Sequence, residues 1–113
     1  MAEKQMSEYD TKVIRRRITV YGHVQGVGFR YRARHAADAY GVTGWVCNNA
    51  DGSVSMELQG AEQQIDQVFL AIERGTYVRI ENMDSKTIPV EEDEYSFRIR
   101  ESSDFFGSWH RWS

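Results

Sequence analysis

Residues 14–40 read IRRRITVYGHVQGVGFRYRARHAADAY, and the spacing of the hydrophobic residues changes in the middle of this stretch. The apolar side chains of its first part stand at even positions: Ile14, Ile18 and Val20. This period of two predicts a half-buried strand, with Arg16 as the exception. From Phe29 to Tyr40 the spacing becomes i, i+4, i+7, i+8 and i+11, which is typical of an amphipathic helix. The stretch therefore predicts a strand, a glycine-rich loop and a helix in succession.

The rest of the chain predicts a hairpin, a second helix and two further strands. The expected elements are strands over 42–48 and 54–59, a helix over 65–72, a strand around 86–88 and a strand over 95–100. Asp51-Gly52 is a strong turn signal between the first two strands of this set, and Gly60 is expected to end the second of them.

This order of elements favours the α+β class. A βαββαβ order with an extra C-terminal strand predicts a ferredoxin-like α/β sandwich, in which two helices cover one face of an antiparallel sheet. We expect a flexible N-terminal arm over 1–11, one folded domain over 12–100 and a C-terminal tail over 101–113. The tail carries four large aromatic residues: Phe105, Phe106, Trp109 and Trp112.

Composition narrows the class of protein. The 113 residues suit a single domain, and a net charge of −3 with a pI of about 5.6 gives no basic field for nucleic acid or anionic lipid. A single cysteine excludes an internal disulfide and a cysteine-based zinc site, and the histidines are too scattered to suggest a metal site. No long apolar run or secretory signal is seen, so we expect a cytoplasmic protein without a membrane span.

The loop between the first strand and the first helix carries the best chemical signal. Gly22, Gly26 and Gly28 lie within seven residues, and such a loop can turn several backbone N–H groups toward one anion at a helix N-terminus. Arg30 follows in the first helical turn, where the helix dipole disfavours a cation unless an anion is bound. A plain glycine-rich turn with a solvated arginine explains the same residues, so spacing alone leaves both interpretations open.

Two longer motifs resemble the acylphosphatase family. Gly22-His23-Val24-Gln25-Gly26-Val27-Gly28-Phe29-Arg30 is similar to the family signature G-x-V-Q-G-V-x-F-R. Gly41-Val42-Thr43-Gly44-Trp45-Val46-Cys47-Asn48-Asn49-Ala50-Asp51-Gly52-Ser53-Val54 is similar to G-x-x-G-W-V-x-N-x-x-D-G-x-V. The resemblance makes 12–100 an acylphosphatase-like domain.

That resemblance implies hydrolysis of acyl phosphates without a metal or other cofactor. Arg30 and Asn48 would be the catalytic residues, with Asn48 orienting the attacking water. The phosphate would be held by Arg30 together with the loop amides, over the residues Val24, Gln25, Gly26, Val27, Gly28, Phe29 and Arg30. The expected partners are a small acyl phosphate and inorganic phosphate as product and inhibitor, with neither nucleic acid nor membrane, and a monomer is expected.

The sequence leaves two other functions open, and the arginines of the first strand and the single cysteine each need an interpretation. The fold would also suit a non-catalytic module that binds single-stranded RNA on its sheet, or a domain that handles carbamoyl phosphate as in a hydrogenase-maturation protein. Arg15, Arg16 and Arg17 either form a solvated strand face or lend positive potential to a negative substrate. Cys47 is expected to lie on the face of its strand opposite Asn48, which makes it a poor nucleophile.

Overall fold

The computed structural model describes residues 12–101, so the arm over 1–11 and the tail from Ser102 onward lie outside the described residues. The elements, in order, are β1 (Val13–His23), α1 (Phe29–Tyr40), β2 (Thr43–Asn48), β3 (Val54–Ala61), α2 (Glu62–Glu73), β4 (Arg79–Ile88) and β5 (Phe97–Arg100). This order confirms the expected βαββαβ fold with an extra strand at the C-terminus. None of the helices in this part of the chain is long and apolar enough to cross a bilayer.

The five strands form one sheet in the order β4-β1-β3-β2-β5. β3 runs antiparallel to both β1 and β2, with Val20 opposite Val54 and Asn48 on the other side of Val54. Because β1 and β2 are both antiparallel to β3, they run in the same direction. Their C-terminal ends therefore lie at the same end of the sheet.

Both helices pack on one face of this sheet. The even residues of β1 point toward that face, as the period of two predicts, and Ile18 and Val20 are buried there. The helices contribute an apolar stripe each: Phe29, Ala33, Ala36 and Ala37 from α1, and Ile65, Val68 and Ile72 from α2. The core therefore lies between the two helices and the sheet, and the glycine-rich loop lies at its rim.

The sheet is mixed, which corrects the expectation of a wholly antiparallel sheet. β5 pairs in parallel with β2, with Val46 opposite Ile99. The cause is the long return from β4, which lies at the opposite edge of the sheet. Residues 89–96 cross the face that carries no helix, where the backbone of Glu91 makes two hydrogen bonds of 2.8 Å with the side chain of Gln59. After this crossing the chain forms β5 beside β2 and runs in the same direction as β2.

Arg15 is buried beneath that crossing segment, with only 2% of the residue exposed. Its guanidinium donates to Glu57 at 2.7 Å and to both carboxylate oxygens of Glu94, at 2.7 and 3.1 Å. Burial alone would lower the pKa of Arg15, but the hydrogen bonds to the two carboxylates outweigh it and raise that pKa above its usual value. The expectation of a solvated arginine face is therefore wrong for Arg15, while Arg16 and Arg17 stay partly exposed.

Element boundaries also differ from the sequence-based expectation, most of all in β4. Gly60 does not end its strand: it is buried, it pairs with Ile14, and β3 continues to Ala61. β4 spans Arg79–Ile88 rather than a short segment around 86–88. It is an edge strand with nearly every residue exposed, so its sequence carries no alternation of burial.

Candidate active site

The loop over 22–28 and Asn48 lie at the same end of the sheet, where β1 and β2 both finish. Gly22 and His23 are the last residues of β1 and the rest of the loop follows them, while Asn48 is the last residue of β2, which finishes at the same end of the sheet. β5 runs parallel to β2, so its C-terminal end and Glu101 arrive there too. The two motifs that lie far apart in the sequence are therefore brought to one place by the topology alone.

The loop leads into α1 with glycines in the left-handed conformation. Gly26 has φ 73° and Gly28, the residue that precedes the helix, has φ 79°. A Cβ at either position would have no neighbour within 4 Å, so the backbone conformation and not crowding favours glycine. Both glycines are exposed, which leaves space beside the loop for a ligand.

The N-terminus of α1 carries no side-chain cap, and its first turn holds no acidic residue. Most helices satisfy their first N–H groups with such a cap, because those groups have no partner within the helix. Val24 and Phe29 bury their side chains in the core, at 0% and 2% exposure, so only their backbone groups can serve a ligand. The segment is thus suited to receive an anion through its amides.

Arg30 stands in the first turn of α1 and is partly exposed. Its Nη1 lies 3.9 Å from a carboxylate oxygen of Glu101, and its guanidinium lies 5.9 Å from the ring centre of Tyr31. Arg34 approaches the same ring at 5.7 Å. The dipole of α1 and these cations together give the loop a positive potential, which an anion would neutralise.

Asn48 shares the helix-side face of β2 with Val46, as alternation predicts. Val46 pairs with Met56 and Asn48 with Val54, and all three apolar residues belong to the core on that side. Cys47 lies on the other face with Trp45, is fully buried, and directs its Sγ to the carbonyl oxygen of Asn48 at 3.3 Å. The expectation that Cys47 is a strand residue facing away from Asn48 is confirmed.

Gln25 joins the glycine-rich loop to the turn between β2 and β3. Its Nε2 donates to the carbonyl oxygens of Asn49 at 2.7 Å and of Ser53 at 2.9 Å. The sequence motif places Gln25 among the phosphate-binding residues but says nothing of this bridge. A hydrogen bond that spans 24 positions leaves no local signal in the sequence, and only the topology could have suggested it.

The turn that receives Gln25 is itself held by Asp51. The carboxylate accepts hydrogen bonds from the hydroxyl and the backbone N–H of Ser53. These bonds, the hydroxyl's first, hold the pKa of Asp51 below its usual value. Asp51 therefore stabilises the turn, as the Asp-Gly signal predicts.

No group of three or more histidine, cysteine, aspartate or glutamate side chains suited to hold a metal ion is found within residues 12–101. His23 ends β1 and His35 lies on the exposed side of α1, while His110 lies outside the described residues. The groups that the site does offer are an uncapped helix N-terminus, a guanidinium and a carboxamide. They suit the binding and positioning of a phosphoryl group.

Comparison with known proteins agrees with the motifs and the fold. The acylphosphatase family model matches residues 16–99. An acylphosphatase of Geobacillus kaustophilus is 44% identical over 89 residues, which cover 78% of this chain and 95% of that protein. The crystal structure of acylphosphatase from Bacillus subtilis superposes with a TM-score of 0.71 at 32% identity and covers 77% of this chain and 98% of that one.

A second structural neighbour is a much longer protein. Full-length HypF, solved in a phosphate- and nucleotide-bound form, gives a TM-score of 0.71 at 27% identity. The match covers 80% of this chain but only 12% of HypF. The extent of the family match, over a domain that nearly spans its relatives, shows that this chain belongs to the acylphosphatase family of hydrolases.

Proposed function

We propose that this protein hydrolyses acyl phosphates to a carboxylate and inorganic phosphate, with Arg30 and the amides of residues 24–30 holding the phosphoryl group and Asn48 orienting the attacking water. The observation that carries the proposal is the uncapped N-terminus of α1, which follows two left-handed glycines and has Arg30 in its first turn. Membership of the acylphosphatase family supports the same reaction.

Phosphate binding at this loop combines two kinds of donor. The backbone N–H groups of a helix N-terminus present fixed partial positive charge, and the planar guanidinium of Arg30 can donate to two phosphate oxygens at once. Both act on the oxygens that carry negative charge throughout the reaction. Charge stabilisation and positioning supply most of the catalysis in phosphoryl transfer, so these donors are the main catalytic groups.

The leaving group explains why so few residues suffice. Water oxygen forms the new bond to phosphorus, and the bond between phosphorus and the acyl oxygen breaks with its electron pair remaining on that oxygen. The product is a carboxylate, whose conjugate acid has a pKa of about 4, so it departs without being protonated. A general acid, which an alcohol leaving group would need, is therefore dispensable.

Asn48 is suited to the water rather than to the phosphate. Its carboxamide carries both an acceptor and two donors, so it can hold a water molecule in line with the breaking bond. The proton of that water passes to a phosphate oxygen in this scheme, which leaves the asparagine unchanged. Asn48 lies at the same end of the sheet as the glycine-rich loop, and this position supports the role.

The helix-free face of the sheet gives less support to a module that binds RNA. Trp45 lies on that face but is only 6% exposed. The guanidiniums of Arg17 and Arg100 lie 5.6 and 5.0 Å from its ring centre. A base could stack on this ring only by displacing both cations, so hydrolysis is the better interpretation.

Carbamoyl phosphate belongs to the same chemical class as the proposed substrates. The likeness to HypF covers only 12% of that protein, whose structure is in a phosphate- and nucleotide-bound form, so it does not single out carbamoyl phosphate among acyl phosphates. We therefore keep carbamoyl phosphate as one of several acyl phosphates that the site would accept.

The deciding assay is hydrolysis of benzoyl phosphate with EDTA present. We expect full activity with the chelator and competitive inhibition by inorganic phosphate, since phosphate fits the same loop. Loss of activity with EDTA would contradict the reaction as proposed, and no hydrolysis under any condition would contradict the function itself.

A further inference from the structure

We propose that Gln25 is a positioning residue, whose side chain sets the place of Asn48 relative to the phosphate-binding loop. This inference rests on the proposed function, because it assigns the two halves of the site their roles. Its basis is the bridge from the Nε2 of Gln25 to the carbonyl oxygens of Asn49 and Ser53. Asn49 is the residue next to Asn48, so the bridge ends one residue away from the proposed water-orienting group.

The chemistry of the bridge suits a glutamine and few other residues. A primary amide offers two N–H donors on one nitrogen, and both are used here, at 2.7 and 2.9 Å. The side chain is half-buried, so water competes little for these acceptors. Since the donors of Gln25 are engaged by the turn, the side chain is not available to hold phosphate, and only its backbone amide remains for that purpose.

The acceptors of the bridge are held in place from their own side. The backbone N–H of Asn49 donates to the carbonyl oxygen of Ser53 at 2.9 Å, which joins the two acceptor residues directly. The side-chain nitrogen of Asn49 donates to the hydroxyls of Ser53 at 2.9 Å and of Ser55 at 2.8 Å. Asp51 fixes Ser53 in turn. A rigid turn transmits the position of Gln25 to Asn48, whereas a mobile one would not.

The kinetic consequence follows from what the bridge connects. The loop amides and Arg30 lie on one side of it, and they decide how tightly phosphate binds. Asn48 lies on the other side, and it acts on the water in the transition state. A misplacement of about 1 Å between two reacting groups costs about a hundredfold in rate. Loss of the bridge should therefore lower kcat and leave the inhibition constant of phosphate nearly unchanged.

The test compares Gln25→Met with Gln25→Glu and with a matched control. Methionine keeps the length and volume of the side chain but offers no donor, and glutamate places acceptors against the two carbonyl oxygens. Gln59→Met is the control, because Gln59 also binds a backbone segment through its amide, at the opposite end of β3. Benzoyl phosphate kinetics and phosphate inhibition are measured well below the Tm of each variant.

We expect kcat to fall by about 10- to 100-fold in both Gln25 variants, with less than about a threefold change in the phosphate inhibition constant. Gln59→Met should lose stability and keep the wild-type kcat. A wild-type kcat in folded Gln25→Met would overturn the inference, as would an equal fall of kcat in Gln59→Met. A phosphate inhibition constant that rises as much as kcat falls would overturn it too, because it would place Gln25 in the phosphate site. Inactive wild-type protein would refute the proposed function and this inference with it, whereas an active wild-type protein with unchanged Gln25 variants would refute the inference alone.

Discussion

Glu101 directs its carboxylate to Arg30, at 3.9 Å from the guanidinium Nη1. The contact arises because β5 runs parallel to β2. The C-terminal end of β5 therefore lies at the end of the sheet that carries the glycine-rich loop. The glutamate side chain is 71% exposed, so water screens the pair. In the proposed mechanism the carboxylate occupies the neighbourhood of Arg30 in competition with a bound phosphate.

Replacing Glu101 should therefore tighten phosphate binding. We expect Glu101→Gln to lower the inhibition constant of phosphate by about two- to fivefold at low salt, the scale of an exposed ion pair, and to have little effect at high salt. Glu73→Gln, a change of the same charge at the end of α2, is the control and should leave that constant unchanged. An inhibition constant that rises in Glu101→Gln would show that the carboxylate helps to hold Arg30 in its binding position.

Asn48 should affect the rate far more than the binding of phosphate. We expect Asn48→Ala to lower kcat by about 10²–10³, the usual cost of removing one fixed polar group from a transition state. The inhibition constant of phosphate should change by less than about threefold, because the loop and Arg30 are intact. The measurement is benzoyl phosphate kinetics with phosphate as inhibitor, and a normal kcat with weakened phosphate binding would reverse the role assigned here.

The neighbouring residues Arg15 and Arg16 should differ sharply in their contribution to stability. Arg15 is 2% exposed and bonded to Glu57 and Glu94. Arg15→Met takes this cation from Glu94, leaves Glu57 with Arg17 alone, and should cost about 3–5 kcal/mol of unfolding free energy. Arg16→Met removes only an exposed pair of 3.4 Å with Glu62 and should cost less than about 1 kcal/mol. Urea unfolding of both variants measures the difference, and equal losses would contradict it.

Asp51 should make the turn between β2 and β3 sensitive to acid. Its pKa in the folded protein lies below the ordinary value of 3.8, so the ionised form stabilises the fold above that value and the contribution is lost as the pH falls through the folded pKa. We expect Asp51→Asn to be less stable than the wild type near neutral pH and the two to converge in acid. Asp38→Asn, on the exposed side of α1, controls for net charge. A stability difference that does not shrink below about pH 4 would show that the Asp51 carboxylate is not the source of that stability.

Much of the fold can be predicted from the sequence where burial imposes a period. Ile18 and Val20 in β1 and the stripe that begins at Phe29 in α1 face the core as their spacing predicts. β4 is harder to predict because it is an exposed edge strand, where both apolar and polar residues are tolerated at each position. The parallel pairing of β5 depends on where the crossing segment over 89–96 lies, and no local pattern encodes that path.

The features of the site also differ in whether a local stretch of sequence reveals them. The glycine spacing and Arg30 are local features, so the sequence brings out a candidate anion site there, and spacing alone does not distinguish it from a plain glycine-rich turn. The bridge from Gln25 and the burial of Arg15 depend on partners 24 to 79 positions away, and each of these residues looks ordinary within its own segment. A buried arginine in a strand resembles an exposed one until the segment that covers it is placed.

The most direct test of hydrolysis at this site compares the rates at which Arg30→Ala and the wild-type protein hydrolyse benzoyl phosphate, with unfolding measured for both. Arg30 is partly exposed and outside the core, so the variant should remain folded. We expect the rate of hydrolysis to fall by at least about 10²–10³ in Arg30→Ala and competitive inhibition by phosphate to weaken together with it. A folded Arg30→Ala protein that hydrolyses benzoyl phosphate at the wild-type rate would contradict the catalytic role of Arg30.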